Sequence, residues 1–156
     1  YQIISKRPVF SFVFTGPEDD GFRQHRIHSL KNAYFTGQKK VDELPAYITA
    51  YDVCINPQMV NDITDGNYPL KIDEYLAMGK PTVATSTHTM RHIFADHTHL
   101  ATNPEEWLSA IDRAVTEADD KELAKQRIAF AETHSWGHSV KKIYGIIDNF
   151  LKEKAT

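Results

Sequence analysis

The sequence predicts an α/β chain: a doubly wound, Rossmann-like parallel sheet with extra helices at its C-terminal end. Three observations carry this. Short apolar runs at 9–15, 33–36, 52–56 and 81–85 alternate with helix-like segments. Glycine or proline stands at the ends of those runs, at Gly16, Gly37, Pro57 and Pro81. Beyond Asp119-Asp120 the pattern is helical to the end.

Taken in order, residues 9–15 are rich in Phe and Val and are bounded by Pro8 and Gly16-Pro17, which reads as a buried strand. Glu18-Asp19-Asp20-Gly21 reads as a solvated turn and 22–30 as a short helix with a basic face. Residues 33–36 form a second strand ended by Gly37. Pro45 starts a helix running to Tyr51, and 52–56 is a third strand. The polar stretch 58–68 is long enough for a functional loop. Helix 69–78 then has both ends marked. Pro69 suits the first helical position, Gly79 the position just past the last turn, and Pro81 forbids continuation. Strand 81–85, an irregular helix at 87–95 and a weak strand at 98–101 follow. Asn103-Pro104 opens an amphipathic helix with Glu105 and Glu106 in its first turn. Helices at 121–133 and 135–154 close the chain. The last carries Val140, Ile143, Tyr144, Ile147, Phe150 and Leu151 on one face, a stripe suited to covering a further domain.

The bulk numbers set bounds. A chain of 156 residues, 41% hydrophobic and 25% charged, suits one globular domain, 1–156, with a real core. A net charge of −3 gives no reason to expect nucleic acid as a partner. No run reaches the roughly 18 apolar residues of a membrane span. The single cysteine, Cys54, excludes an internal disulfide framework. It lies in an apolar strand and reads as a buried, inert thiol in a reducing, cytoplasmic setting. The chain opens mid-element at Tyr1-Gln-Ile-Ile, as an excised or processed piece would.

In doubly wound sheets ligands bind beyond the carboxyl ends of the strands. Gly16, Gly37, the loop after Asn56, and Ser86-Thr87 all lie at such ends, so these loops should converge on one crevice. The helix that starts there, behind Asn67, Tyr68 and Pro69, offers unpaired N–H groups near Leu70 and Lys71 and a positive dipole end to an anion. Lys71 either adds charge to that anion site or faces solvent. Glu74, one turn in, can accept two hydroxyl donors of a sugar, or it pairs with Lys71 at i, i+3. Phosphate at the helix start with sugar hydroxyls beside it describes a nucleotide-sugar site.

These residues carry a resemblance. Glu74 and Ala77-Met-Gly-Lys-Pro-Thr-Val-Ala-Thr85 resemble the donor-binding motif of retaining GT-B glycosyltransferases, known as glycosyltransferase family 4 or glycosyl transferases group 1. Phe12-Val-Phe-Thr-Gly16, Ala33-Tyr-Phe-Thr-Gly37, the segment 43–57 and Ser135-Trp136 with its closing helix fit in the same order. The resemblance implies the donor-binding half of an enzyme that moves a sugar from a nucleotide diphosphate sugar to an acceptor. It implies Glu74 on the ribose, the 67–71 helix start on the diphosphate, and the 37–44 loop on the base. No cofactor or metal is implied. The first strand–helix unit of the domain, with its diphosphate-clamping basic residues, and an N-terminal acceptor domain would lie outside this chain. The catalytic residues are expected there too, so the isolated piece should be inactive. Peripheral membrane association would also come through those parts.

One departure stands out. Gly66 occupies the place of the family's first motif Glu, which contacts the transferred sugar. Asp65, one residue earlier, is a substitute, with Asp62, Asn61 and Asn67 as further candidates. His88/His92 and His134/His138 have i, i+4 spacing but no third metal ligand, and His97 and His99 read as strand-edge residues. A sugar-nucleotide epimerase, a non-catalytic doubly wound binding module and a degenerate scaffold are the alternative readings.

Overall fold

A computed structural model describes residues 1–154. In chain order the elements are α1 (Gln2–Ser5), β1 (Phe12–Thr15), α2 (Asp20–Arg23), a 3-10 turn (Arg26–Ser29), β2 (Ala33–Gly37), α3 (Leu44–Ala50) and β3 (Cys54–Asn56). Then come α4 (Leu70–Ala77), β4 (Thr82–Thr85), a π-helical turn (Met90–Phe94), a 3-10 turn (Ala95–His97), β5 (His99–Ala101), α5 (Pro104–Thr116), α6 (Lys121–Glu132) and α7 (Trp136–Lys154).

All pairing is parallel. β1 pairs with β2, Phe12 opposite Ala33. β4 lies between β3 and β5, with Cys54 opposite Thr82 and Val83 opposite His99. The strands form two sheets, β1–β2 and β3–β4–β5, where the sequence suggested one. A shared core joins them, as does a hydrogen bond of 2.7 Å between Thr15 Oγ1 and the Tyr51 hydroxyl.

Every residue of β4 is buried, as its continuous run Thr82-Val-Ala-Thr85 requires of a strand covered on both faces. Successive side chains point to opposite faces. Val83 joins Phe12, Ile27, Ala101, Trp107 and Ile111 on one side. Ala84 joins Ile72, Leu76, Met90, Phe94 and Ala131 on the other. Thus α5 covers one face of the sheet and α4 with α6 the other, which is the mixed α/β, Rossmann-like arrangement.

The helix ends follow from local chemistry. Asn103 caps α5 by accepting from the Glu106 N–H at 2.9 Å, while the Glu106 carboxylate reaches back to Thr102 N–H at 2.7 Å and Asn103 Nδ2 at 2.8 Å. Asp120 caps α6 by accepting from Glu122 and Leu123 N–H. Asp19 caps α2 by accepting from Phe22 N–H, and Glu18 faces His28 at 3.1 Å. Asp19, expected in a solvated turn, is therefore a helix cap. The basic helix expected at 22–30 is two short turns broken at Gln24-His25. Gly79 (φ +72°) ends α4: its N–H donates to Leu76 O at 2.8 Å and Lys80 N–H to Tyr75 O at 3.0 Å, the paired bonds of a Schellman end. In α7 no side chain is buried, and Ile143, Tyr144, Ile147, Phe150 and Leu151 are all exposed. No described helix is long and apolar enough to cross a membrane.

Cys54 is buried, and burial pushes its thiol up to about 12 against the opposing charge of Lys80, as an inert thiol requires.

Candidate functional site at the strand ends

The loops beyond the strand ends meet in two pairs. Gly16 N–H donates to Gly37 O at 3.1 Å, and both glycines have left-region φ values, +154° and +69°. A Cβ added at either would meet nothing within 4 Å, so backbone conformation, not crowding, requires glycine there. The second pair is the 58–68 loop and the start of the 86–89 turn. Gln58 N–H donates to Thr85 Oγ1 at 2.8 Å. Asp65 Oδ1 accepts from His88 N–H at 2.7 Å, and its carbonyl from Thr89 N–H at 3.3 Å. Among the described residues no hydrogen bond joins the two pairs.

Asp65 is thus occupied at one carboxylate oxygen by the neighbouring backbone, which holds the loop shut against β4. Gly66 and Asn67 are exposed, with Asn67 N–H turned back onto Thr64 O at 3.3 Å. Asn61 caps the same loop by accepting from Ile63 and Thr64 N–H, so its side chain is engaged internally.

Pro69 stands one place earlier than the sequence suggested. It is the N-cap of α4 (φ −89°, ψ 85°), and Leu70 is the first helical residue. A proline at this place has no side-chain acceptor, so no side chain caps the first turn. Ile72 N–H folds back onto Pro69 O at 2.8 Å. The N–H groups of Leu70 and Lys71 are left as the helix's open donors. Leu70 is 70% exposed and Lys71 is exposed.

Glu74 is exposed one turn further on and its carboxylate makes no hydrogen bond or ion pair among the described residues, so the surface pair with Lys71 is not formed. Lys80, in the small-Gly-Lys-Pro run, is tied down: its Nζ donates to Thr49 O at 2.8 Å, bracing α3 against the start of β4. Lys39 lies 5.2 Å from the Tyr47 ring centre, and Lys40 N–H donates to Glu43 at 2.8 Å, so the two lysines are parts of an ordered turn.

Tyr68 and Asp73 frame the helix start. The Tyr68 hydroxyl donates to Asp73 Oδ2 at 2.6 Å, and His134 Nδ1 lies 2.8 Å from Asp73 Oδ1. Burial, followed by the hydrogen bond to Asp73 and its charge, pushes the Tyr68 phenol well above its ordinary value. His134, paired by sequence spacing with His138, instead serves this carboxylate. Asp73 was not singled out from the sequence, and His134 only for its spacing to His138. Asp73 and His134 are 61 residues apart, and only the packing of α6 on α4 joins them.

The other histidines are placed as follows. The His88 and His92 rings lie 4.2 Å apart, His97 stacks on Phe130 at 4.1 Å, and His99 Nε2 meets Glu117 at 2.9 Å. Two surface depressions, of about 600 Å³ beside Arg7 and Asp112 and about 260 Å³ beside Asp96 and Arg127, contain none of the strand-end residues.

An open helix start with a free acid one turn in thus stands at the carboxyl end of a parallel sheet, the place where doubly wound α/β folds bind ligands. The sequence profile of the family described as "Glycosyl transferases group 1" matches residues 1–117, and the chain belongs to that family. It is also similar to a Bacillus subtilis (strain 168) protein bearing the name teichuronic acid biosynthesis glycosyltransferase TuaH, with 26% identity over 145 residues. The match takes in 88% of this chain and 36% of that relative, so the chain spans about a third of the length of the curated relative it matches.

Proposed function

We propose that residues 1–156 are the donor-binding half of a GT-B glycosyltransferase. The whole enzyme moves a sugar from a nucleotide diphosphate sugar to an acceptor with retained configuration. The observation that carries this is Glu74: an exposed, unpartnered carboxylate one turn into a helix whose start no side chain caps, inside the run that matches the family. The Leu70 and Lys71 N–H groups hold the diphosphate, Glu74 takes the ribose hydroxyls, and the 37–44 turn lies on the base. Fixed N–H dipoles stabilise the charge that grows on the leaving diphosphate, more in the transition state than in the ground state. Lys71, exposed and without an ion-pair partner among the described residues, adds its charge there. Asp65 and Gly66 lie at the sugar end.

The catalytic residues and the acceptor site lie outside this chain, in a preceding strand–helix unit and an N-terminal domain. Two observations support this. The strands fall into two separate sheets, and α7 presents an apolar stripe that none of the described residues covers. The piece is then inactive alone. A reducing, cytoplasmic setting suits its one buried thiol.

The test is calorimetric titration of the whole protein with UDP-glucose, GDP-mannose and ADP-glucose, wild type against Glu74→Ala. Loss of two charged hydrogen bonds to a ribose predicts at least tenfold weaker binding with unchanged melting. Equal affinities would remove the role given to Glu74.

A further inference from the structure

The open start of α4 is tied to a distant part of the chain through one carboxylate. Asp73 lies in the first turn and a half of α4 and is only 20% exposed at its side chain. One oxygen accepts from the Tyr68 hydroxyl at 2.6 Å and the other meets His134 Nδ1 at 2.8 Å. His134 sits just past the end of α6, and its ring stands edge-on to Phe130 (4.6 Å) and Phe94 (5.7 Å). The Tyr68 ring meets the same Phe94 at 5.5 Å. An aromatic wall therefore fixes both donors around the acid.

A carboxylate this close to a helix start opposes the binding of an anion there. At Asp73 both oxygens are engaged, one by the Tyr68 hydroxyl and the other by the His134 imidazole. The acid is thereby turned from a competitor into a brace. What it braces is Tyr68, whose ring is 41% exposed and which directly precedes Pro69, the residue that leaves the first N–H groups open. A residue in an exposed loop otherwise samples several conformations, and each one lost on binding weakens the ligand.

We infer that Asp73, held by His134, is a positioning residue for donor binding: it fixes Tyr68 and the turn 67–70 in the conformation that presents the Leu70 and Lys71 N–H groups to a diphosphate. The inference rests on the donor-site reading above. It assigns no contact between Asp73 and the ligand.

The experiment is a double-mutant cycle on the whole protein, with UDP-glucose, GDP-mannose and ADP-glucose as calorimetric probes and melting followed in parallel. Asp73→Ala and Tyr68→Phe should each weaken binding about five- to tenfold, and the double variant no more than the weaker-binding single variant, because both cut one bond. Asp73→Asn should recover most of the affinity. Its carbonyl oxygen accepts from Tyr68, and its amide donates to the other tautomer of His134. Tyr68→Phe should melt within a few degrees of wild type, which separates positioning from loss of fold. Wild-type affinity in the single variants, additive losses in the double, or no rescue by Asn would overturn the inference and leave the donor site standing. Failure of the wild type to bind any probe would overturn both.

Discussion

A Cβ placed on Gly79 would stand 3.1 Å from the Cβ of Ala124. Gly79 also holds φ +72°, so both conformation and the approach of α6 demand glycine there. This close approach is part of the packing of α6 on α4 that brings His134 to Asp73. Gly79→Ala should cost about 1–3 kcal/mol from strain plus overpacking. Ala124→Gly in the same background should return part of that. Urea unfolding midpoints of the three variants check it, and a neutral Gly79→Ala would show that α6 can move away.

Arg127, 5% exposed, ion-pairs with Glu117, which also meets His99 at 2.9 Å. Burial lowers the Arg127 guanidinium from its ordinary value, opposed chiefly by the charge of Glu117. Glu117→Ala leaves that cation buried without its partner and should cost about 3–5 kcal/mol. Arg127→Met removes the charge while keeping most of the volume, and should cost clearly less. Equal losses in denaturant melts would mean the pair acts through packing alone.

Acid should unfold the protein partly through two surface acids. The hydrogen bond from Arg7 holds the Asp112 carboxyl below its ordinary value, and the Thr102 hydroxyl and N–H do the same for Glu106. A carboxyl lowered on folding contributes stability above its unfolded pKa and loses it as pH falls through the folded one. The contribution is therefore complete near neutrality and fades below the ordinary carboxylate range, from about pH 4 downward. Thermal midpoints of wild type should fall more steeply over that range than those of Asp112→Asn with Glu106→Gln. Parallel curves would refute the assignment.

Because α7 buries no side chain in this chain, it should open first. Trypsin should cut residues 1–156 after Lys141, Lys142 or Lys152 well before it cuts after the buried Arg127. In the whole protein the α7 sites should be protected, if the apolar stripe meets another domain. Equal cleavage in both forms would leave the stripe without a cover.

How much of this was legible beforehand depends on how local each signal is. The end of α4, β4 and the start of α5 were readable because their signals are adjacent in sequence: Gly79 with Pro81, the run 82–85, and Asn103-Pro104 with Glu106. Pro69 was misplaced by one residue, since a proline suits a cap as well as a first turn and only φ and ψ decide. The helix expected at 22–30 broke because no apolar period sustains it across Gln24-His25. Its one buried residue is Ile27, in the second turn.

What the sequence determined by itself is therefore the alternation of strands and helices, a helix start near residue 70 and the placing of Glu74 one turn into it. Each rests on neighbours within a turn or a strand pair, where backbone geometry is periodic. Only the tertiary structure decided which polar groups are spent and which are free. Asp73 is engaged by His134 and Asp65 by His88, while the Glu74 carboxylate has no partner among the described residues. A side chain's partners across 20 or more residues are set by how helices pack on the sheet, and no local period encodes that.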